Sequence, residues 1–374
     1  MNFEYSDEQQ QLADSVAKFL ANQYGFEQRK AIVQSASGWS ENVWATFAEM
    51  GLTSIALPEA DGGFGGGALD LMPVMEACGE ALVVEPLLDT IGLGGRLVAR
   101  AGSTAQRAAL LPGLINGSRR LAFAGLEPGR RYEQVPSQTT AQSVAGGGWV
   151  LNGAKCAVPG AAAAQTLIVS ALTAAGPSLF VVDAGAVGVH LNPSVSVDGQ
   201  RMADLRLTAV ALGADALLGT DGGALPDIDE ALDFATALLC AEAVGAMKYA
   251  IDTTLDYTKT RKQFGVAIAS FQVLQHRMVE MYISCEQARS MAILAASKVD
   301  AGGDATERQR AVSMAKIKIA DAAQQISQES VQLHGGMGMT EELKVSHTFR
   351  RLTMVRQRFG DADHHLERIA ALDH

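Results

Sequence analysis

Three short stretches carry the residues best suited to chemistry: KTRKQFG at 259–265, SFQVLQH at 270–276 and QLHGGMGMT at 332–340. Arg261, at the end of a helical pattern, offers planar charge-assisted donors that match a phosphate. Gln263 and Phe264 follow it, Gln272 opens the next helix, and Gln332 precedes the pair Gly335-Gly336, where a ligand can approach the backbone closely. Together these residue types suit a diphosphate and an adenine, one side of a dinucleotide site. Other chemistries lack their signatures. HExxH, GxSxG and GxxxxGK[ST] are all absent, and GGFGGG at 62–67 is not the GxGxxG of a strand-to-helix turn. The pair His364-His365 beside Asp361 and Asp363 is expected to be solvated or packed, not metal-bound.

These residues need a frame, and 374 residues can bury a large core in two or three subdomains. A formal net charge of −11 argues against nucleic acid or an anionic membrane as a general partner. An anionic ligand must therefore be held by a few local donors. Cys78, Cys156, Cys240 and Cys285 show no CxxC spacing and are expected as buried thiols in a reducing cytoplasm. The start, MNFEYSDEQQQLADSV, is acidic and polar, unlike a signal or transit peptide, and no apolar run is expected to reach the roughly 20 residues of a membrane span. The expected location is cytoplasmic.

Periodicity divides the chain into 1–120, helical; 121–222, β-rich; and 223–374, helical again. Helices are expected from Ser6, over Glu41 to Met50, Leu69 to Leu82 and Leu87 to Ala101, and over Thr104 to Leu111 with Ser103 as cap and Pro112 just past the end. Strands are expected around Trp149 to Leu151, Thr166 to Val169, Ser178 to Val182, Val187 to Leu191 and Leu205 to Val210, with Gly146-Gly147-Gly148 as a hairpin turn. Asp227, Asp229 and Glu230 favour the start of a long helix. Ser270 is the expected cap of the next one, whose stripe from Phe271 through Met281 to Ala292 reads as a core seam. Two more helices follow, over Thr306 to Leu333 and Glu341 to Arg358, with a short tail. The fold class is α+β, with a small central sheet or barrel and a C-terminal bundle of long helices.

In order and spacing the motifs resemble the acyl-CoA dehydrogenase family along essentially the whole chain. The likeness is carried by DEQQQLADSVAKFL, LPEADGGFGG, LAFAGLEPG, WVLNGAK, KTRKQFGVAIASFQVLQHRM and QLHGGMGMTEE. The resemblance implies that the C-terminal bundle is a four-helix bundle. It further implies an FAD-dependent oxidoreductase that converts an acyl-CoA thioester to a 2-enoyl-CoA, a Glu removing the α-proton and the flavin the β-hydride. It implies that Arg261, Gln263, Phe264, Gln272, Gln332, Gly335 and Gly336 serve an FAD across a subunit interface.

The other half of the family pattern is eroded. Where the family has EPGAGSD this chain has Glu127-Pro128-Gly129-Arg130-Arg131-Tyr132-Glu133, and Ala157, Val158 and Pro159 replace a Trp-Ile-Thr run. Phe359 stands in place of the base, and Ala235 followed by Thr236 occupies the alternative base position. Glu242, about two turns along the same helix, is the remaining candidate, with a buried or ion-paired carboxylate as its plain alternative. The pattern resembles the small, β-type subunit of heteromeric enzymes such as pimeloyl-CoA dehydrogenase and the steroid side-chain enzymes. Its implied partners are a homologous large catalytic subunit in a tetramer, the acyl-CoA substrate and an electron-transfer flavoprotein. The alternatives are a homomeric enzyme using Glu242 or Asp361, a redox-inactive acyl-CoA-binding scaffold, and a flavin monooxygenase.

Overall fold

A computed structural model describes residues Tyr5–Asp373; residues 1–4, which begin the acidic N-terminal stretch, and His374 lie outside the described residues. Ser6 opens helix α1 (Asp7–Gln23) through a capping box: its hydroxyl accepts from the Gln9 amide, and the Gln9 side chain accepts from the Ser6 amide. Helix α2 (Phe26–Gln34) has a weak apolar stripe, and its buried residue is a cation, Arg29, whose Nε donates to Leu82 O at 2.7 Å. A hydropathy pattern cannot register such a helix. Ser40 caps α3 (Glu41–Glu49). The amides opening α4 (Ala68–Ala81) are met by the distant Asp300 carboxylate, at 2.7 Å from Ala68 N and 2.8 Å from Leu69 N.

The helix expected over Leu87 to Ala101 divides in two. Leu88–Gly95 winds as a π-helix before α5 (Arg96–Ala101). Close approach accounts for glycine here, since a Cβ on Gly94 would lie 2.5 Å from that of Leu121. Ser103 caps α6 (Thr104–Ile115) as expected, but Pro112 sits inside that helix and not beyond it. Only the last turn follows, so the amide that proline lacks costs one hydrogen bond near a fraying end.

The middle of the chain forms β1 (Leu121–Ala124), β2 (Thr140–Val144), β3 (Gly148–Pro159), β4 (Thr166–Leu172), β5 (Pro177–Asp183), β6 (Val189–Val195), β7 (Arg201–Leu212) and β8 (Leu217–Leu218). The strand order is β6-β7-β3-β2-β4-β5-β8, with β1 pairing alongside β4. Most pairs are antiparallel; β1 and a single contact of β2 run parallel to β4. Gly146 and Gly147, at φ 101° and 90°, make the expected β2–β3 turn. Leu151, Leu167, Val169, Phe180, Val182, Leu205 and Val210 fill the sheet's core.

Inside that core a polar brace fixes the loop after β1. Lys155 Nζ lies 3.3 Å from Glu127 Oε1 and donates to Gly125 O at 2.9 Å and Ser170 Oγ at 3.0 Å. Glu127 also accepts from the amides of Ser137, Gln138 and Thr139. Burial pushes the Lys155 ammonium down to about 8 against the pull of Glu127. Burial alone would raise the Glu127 carboxyl, but the three amides and Lys155 outweigh it and hold the group at about 2.

Helix α7 (Leu225–Thr260) follows, then a small hairpin of β9 (Lys262–Gln263) and β10 (Val266–Ala267), and then α8 (Gln272–Asp300), α9 (Ala305–His334), α10 (Lys344–Gln357) and α11 (Ala362–Leu372). The expected short tail is thus an eleven-residue helix, capped by Asp361. Ser270 does not cap α8. Its hydroxyl turns back to Ala267 O, and Phe271 occupies the cap position without a side-chain bond. The seam of α8 begins at Met281, continues through Cys285, Ala288 and Ala292, and packs on α9; Phe271 at its head is 36% exposed. An 18-residue window of α7 does reach the length and apolarity of a membrane span, against the sequence expectation, but 89% of it is buried within the protein, as in a core helix. The four cysteines are free, and Cys156, expected to be buried, is half-exposed on β3.

By compactness the chain forms two units. One comprises 1–31, 68–83 and 236–374, its described residues helical apart from the β9–β10 hairpin; the other, 32–67 and 84–235, contains the sheet. Within the helical unit α4 and α7 cross at glycine: a Cβ on Gly79 would lie 1.8 Å from Glu242 O, and one on Gly245 1.8 Å from Glu76 O.

Two measurements check this frame. In denaturant titrations Gly245→Ala should lower stability by about 3 kcal/mol, whereas Gly303→Ala, with nothing within 4 Å of the added carbon, should change it by less than about 0.5 kcal/mol. The Glu127 carboxyl lies below its unfolded value of about 4.3. Its contribution is therefore complete above that pH and lost as pH falls towards about 2. Glu127→Gln should flatten the loss of stability in that acid window, leaving a lower, less pH-dependent stability above it.

Candidate functional site

The seven residues expected to serve a cofactor all lie in the helical unit, and local geometry explains how most of them meet. Helix α7 ends with Arg261 N donating to Tyr257 O, and the chain turns at once into the β9–β10 hairpin. Phe264 and Gly265 form the tip, at φ 55° and 81°, a left-handed pair that glycine accepts freely and phenylalanine does not. Ile268 N returns to Arg261 O at 2.9 Å, and Phe264 meets Phe271 edge-on at 6.1 Å. This sets the first residue of α8, Gln272, beside the hairpin.

The other flank is tied to the same end of α7. Tyr257 stacks on His334 with ring centroids 4.4 Å apart, and its hydroxyl donates to His334 O at 3.3 Å. Directly after His334, Gly335 at φ 63° turns the chain into a 3-10 segment, Gly335–Met339. Gln332, Gly335 and Gly336 are exposed, and an added Cβ on either glycine would meet open space. Arg261, Gln263, Phe264 and Gln272 are exposed as well, Phe264 by 91%. Among the described residues the Arg261 side chain makes no ion pair or hydrogen bond within the chain. A solvent-facing guanidinium with amide side chains and bare glycines nearby is a donor set that fits a diphosphate and a purine, so the residues fit half of an FAD site.

The segment where a base would sit is built differently. Phe359 follows the end of α10 at φ 60°. Its carbonyl is 3.1 Å from His365 Nε2, and Arg358 lies 4.8 Å from its ring centroid. Burial pushes His365 down to about 3, so the ring is neutral at pH 7. Nε2 then carries the proton given to Phe359 O, and Nδ1 accepts from the Ser313 hydroxyl at 3.2 Å. Lys316 Nζ, fully buried, donates to Gly360 O at 2.7 Å and Arg356 O at 3.3 Å; burial brings it down to about 8. His365 belongs to the pair expected to be solvated or packed, and it is packed, 1% exposed. Lys316 did not stand out in the sequence, because an isolated polar residue within an apolar helical pattern carries no signal until its partners are known.

Glu242 is 4% exposed and held by Arg351, whose Nη1 lies 2.5 Å from Oε1 and whose Nη2 donates to Val83 O at 2.9 Å. Its carboxylate thus makes a structural ion pair. Asp361 Oδ1 accepts from the His364 amide at the start of α11. Ala235 is wholly buried and Thr236 is 2% exposed. No three-residue metal cluster is found among the described residues.

In the sheet unit Arg130 and Arg131 are exposed, Arg131 at φ 49°. Ala157 sits in a bulge between Lys155 and Val158 at φ 48°, with its amide donating to Asp204 Oδ1 at 2.9 Å. That amide is therefore taken, and Pro159 has none to give.

Three family models match in succession: the acyl-CoA dehydrogenase N-terminal domain over residues 6–118, the middle domain over 122–210 and the C-terminal domain over 225–372. The chain is 32% identical over 356 residues to acyl-CoA dehydrogenase FadE12 of Mycobacterium tuberculosis, covering 92% of this chain and 90% of that protein. It is 28% identical over 368 residues to acyl-CoA dehydrogenase IpdE2 of Mycolicibacterium smegmatis, covering 98% and 99%. Among solved structures, a variant of the Tcur3481-Tcur3483 steroid ACAD superposes with a TM-score of 0.88 at 30% identity, covering 98% of both chains. Helical, β-sheet and helical parts in this order, with matches across all three, place the chain in the acyl-CoA dehydrogenase family, FAD-dependent oxidoreductases acting on CH–CH bonds.

Proposed function

We propose that this chain is the small, non-catalytic subunit of a heteromeric acyl-CoA dehydrogenase, completing the FAD site of a homologous large subunit. The observation that carries the reading is the state of the carboxylates. Phe359 and Ala235 stand at the two base positions, Glu242 is engaged by Arg351, and Asp361 caps a helix. By contrast, Arg261, Gln263, Phe264, Gln272, Gln332, Gly335 and Gly336 face outward. On the same unit Val273, Val279, Tyr282 and Ile283 of α8 are 66%, 55%, 57% and 49% exposed, an apolar face suited to a partner. The steroid ACAD relative also carries two component names.

Bound FAD would supply the hydride acceptor. Arg261 would neutralise its diphosphate, Gln272 and Gln332 would meet the adenosine, and Gly335-Gly336 would let the backbone close on it. Phe264 would shield the nucleotide from water. The partner would bring the base, the flavin-ring pocket and the acyl-CoA, and an electron-transfer flavoprotein would reoxidise the complex. The cytoplasm is the expected compartment.

Purified alone, the chain should show little flavin absorbance and no acyl-CoA turnover; full flavin occupancy with turnover would overturn the reading. Turnover should appear when the chain is co-expressed with a homologue that keeps the Glu. In that complex Arg261→Ala should weaken FAD retention about 10- to 100-fold, as expected for loss of a charged hydrogen bond, measured by flavin release on dilution. Glu242→Gln should leave any turnover without a Glu242-dependent step, its effect confined to stability.

A further inference from the structure

The helical unit contains a second feature that the FAD reading does not use. A cavity of about 260 Å³ is lined by Tyr249, Thr253, Tyr257, His334, Leu343 and Lys344, with Asp256 and Thr260 also on its wall. This lies just under the roughly 300 Å³ at which pockets for drug-sized molecules begin, so an occupant would be small. Its lining is mostly apolar and aromatic, with one cation. Lys344 Nζ lies 3.8 Å from the centroid of the Tyr249 ring. Among the described residues that ammonium makes no ion pair or hydrogen bond.

A half-buried ammonium resting on an aromatic face, beside a mostly apolar cavity, has no ion-pair partner among the described residues. The cation–π contact compensates only part of its lost hydration. Burial lowers the Lys344 ammonium to about 8. Glu80 on α4 opposes that shift, and the like charge of Arg29 on α2 adds to it. The other titratable groups facing the cavity do not compete for the place. His334 is driven towards its neutral form by burial, with Nδ1 2.8 Å from Ser330 O. Burial raises the Tyr249 phenol, and Asp256 lies at an exposed position.

We propose that this cavity binds a small organic carboxylate with an apolar body, its carboxylate paired with Lys344 and its body packed against Tyr249, Tyr257 and Leu343. Phosphate-rich ligands fit poorly because a single cation serves the site and Asp256 would repel further negative charge. The assignment does not rest on the chain's role towards FAD.

The test uses the full chain with benzoate and hexanoate as probes and benzyl alcohol as the uncharged control, followed by ligand-observed NMR and calorimetry. Both carboxylates should bind and the alcohol should bind at least tenfold more weakly. With a free-state value of about 8 for Lys344, affinity should fall about tenfold between pH 7 and pH 9 as the ammonium is lost. Lys344→Met should abolish binding and Lys344→Arg should retain it. Thr253→Phe, which fills the cavity from α7 while leaving the ammonium in place, should also abolish it, so the result does not depend on one variant folding. Failure of either carboxylate to bind at millimolar concentration, equal binding of benzyl alcohol, or undiminished binding by folded Lys344→Met would overturn the proposal.

Discussion

Arg351 is the hub of the helical unit: from α10 its guanidinium reaches Glu242 on α7 and, through its second amino group, the Val83 carbonyl just beyond α4. Removing one partner of a buried ion pair leaves an uncompensated charge and costs roughly 3–5 kcal/mol. The pair also lies at a close crossing of α4 and α7, since the Glu242 carbonyl faces the missing side chain of Gly79. A carboxylate that looks available in sequence is therefore committed to holding three segments in register. With α7 and α10 fixed, their ends are fixed too. One end of α7 presents Arg261, one end of α10 leads into Phe359, and the other end of α10 carries Lys344 beside the cavity.

The turn after α10 is braced by two buried polar side chains. Lys316 and neutral His365 hold the carbonyls of Arg356, Phe359 and Gly360 from beneath. The backbone there is kept in a left-handed conformation that a phenylalanine adopts only under constraint. The side chain at this braced turn, the phenyl ring of Phe359, has no proton chemistry. In the sheet unit the Ala157 amide is likewise committed, donating to Asp204 Oδ1.

Much of the fold was legible because local chemistry agrees with it. Ser6 and Ser103 cap helices where their spacing to Gln9 and Gln106 says they should, and the glycines at 146 and 147 turn the β2–β3 hairpin. The misreadings share a cause. Ser270 has the right residue type for a cap, yet its hydroxyl finds Ala267 first. Helix α2 buries an arginine, whose partner is 53 residues away. The head of the α8 stripe reads as core by period, but Phe271 stays 36% exposed, with the solvent-facing Phe264 edge-on against it. Periodicity reports which residues could share a face, not whether a partner lies on it.

By itself the sequence determined the family and the α+β order, because these depend on identity and spacing along the chain. The committed state of Glu242, the grip of Lys316 and His365 on the Phe359 turn, and the seat of the Lys344 ammonium on the Tyr249 ring were decided only by tertiary structure. Each of these depends on what lies within about 3–4 Å of a buried charge or polar group, where desolvation and partner choice set its state. Those distances join residues remote in the chain, as Glu242 and Arg351 are by 109 positions.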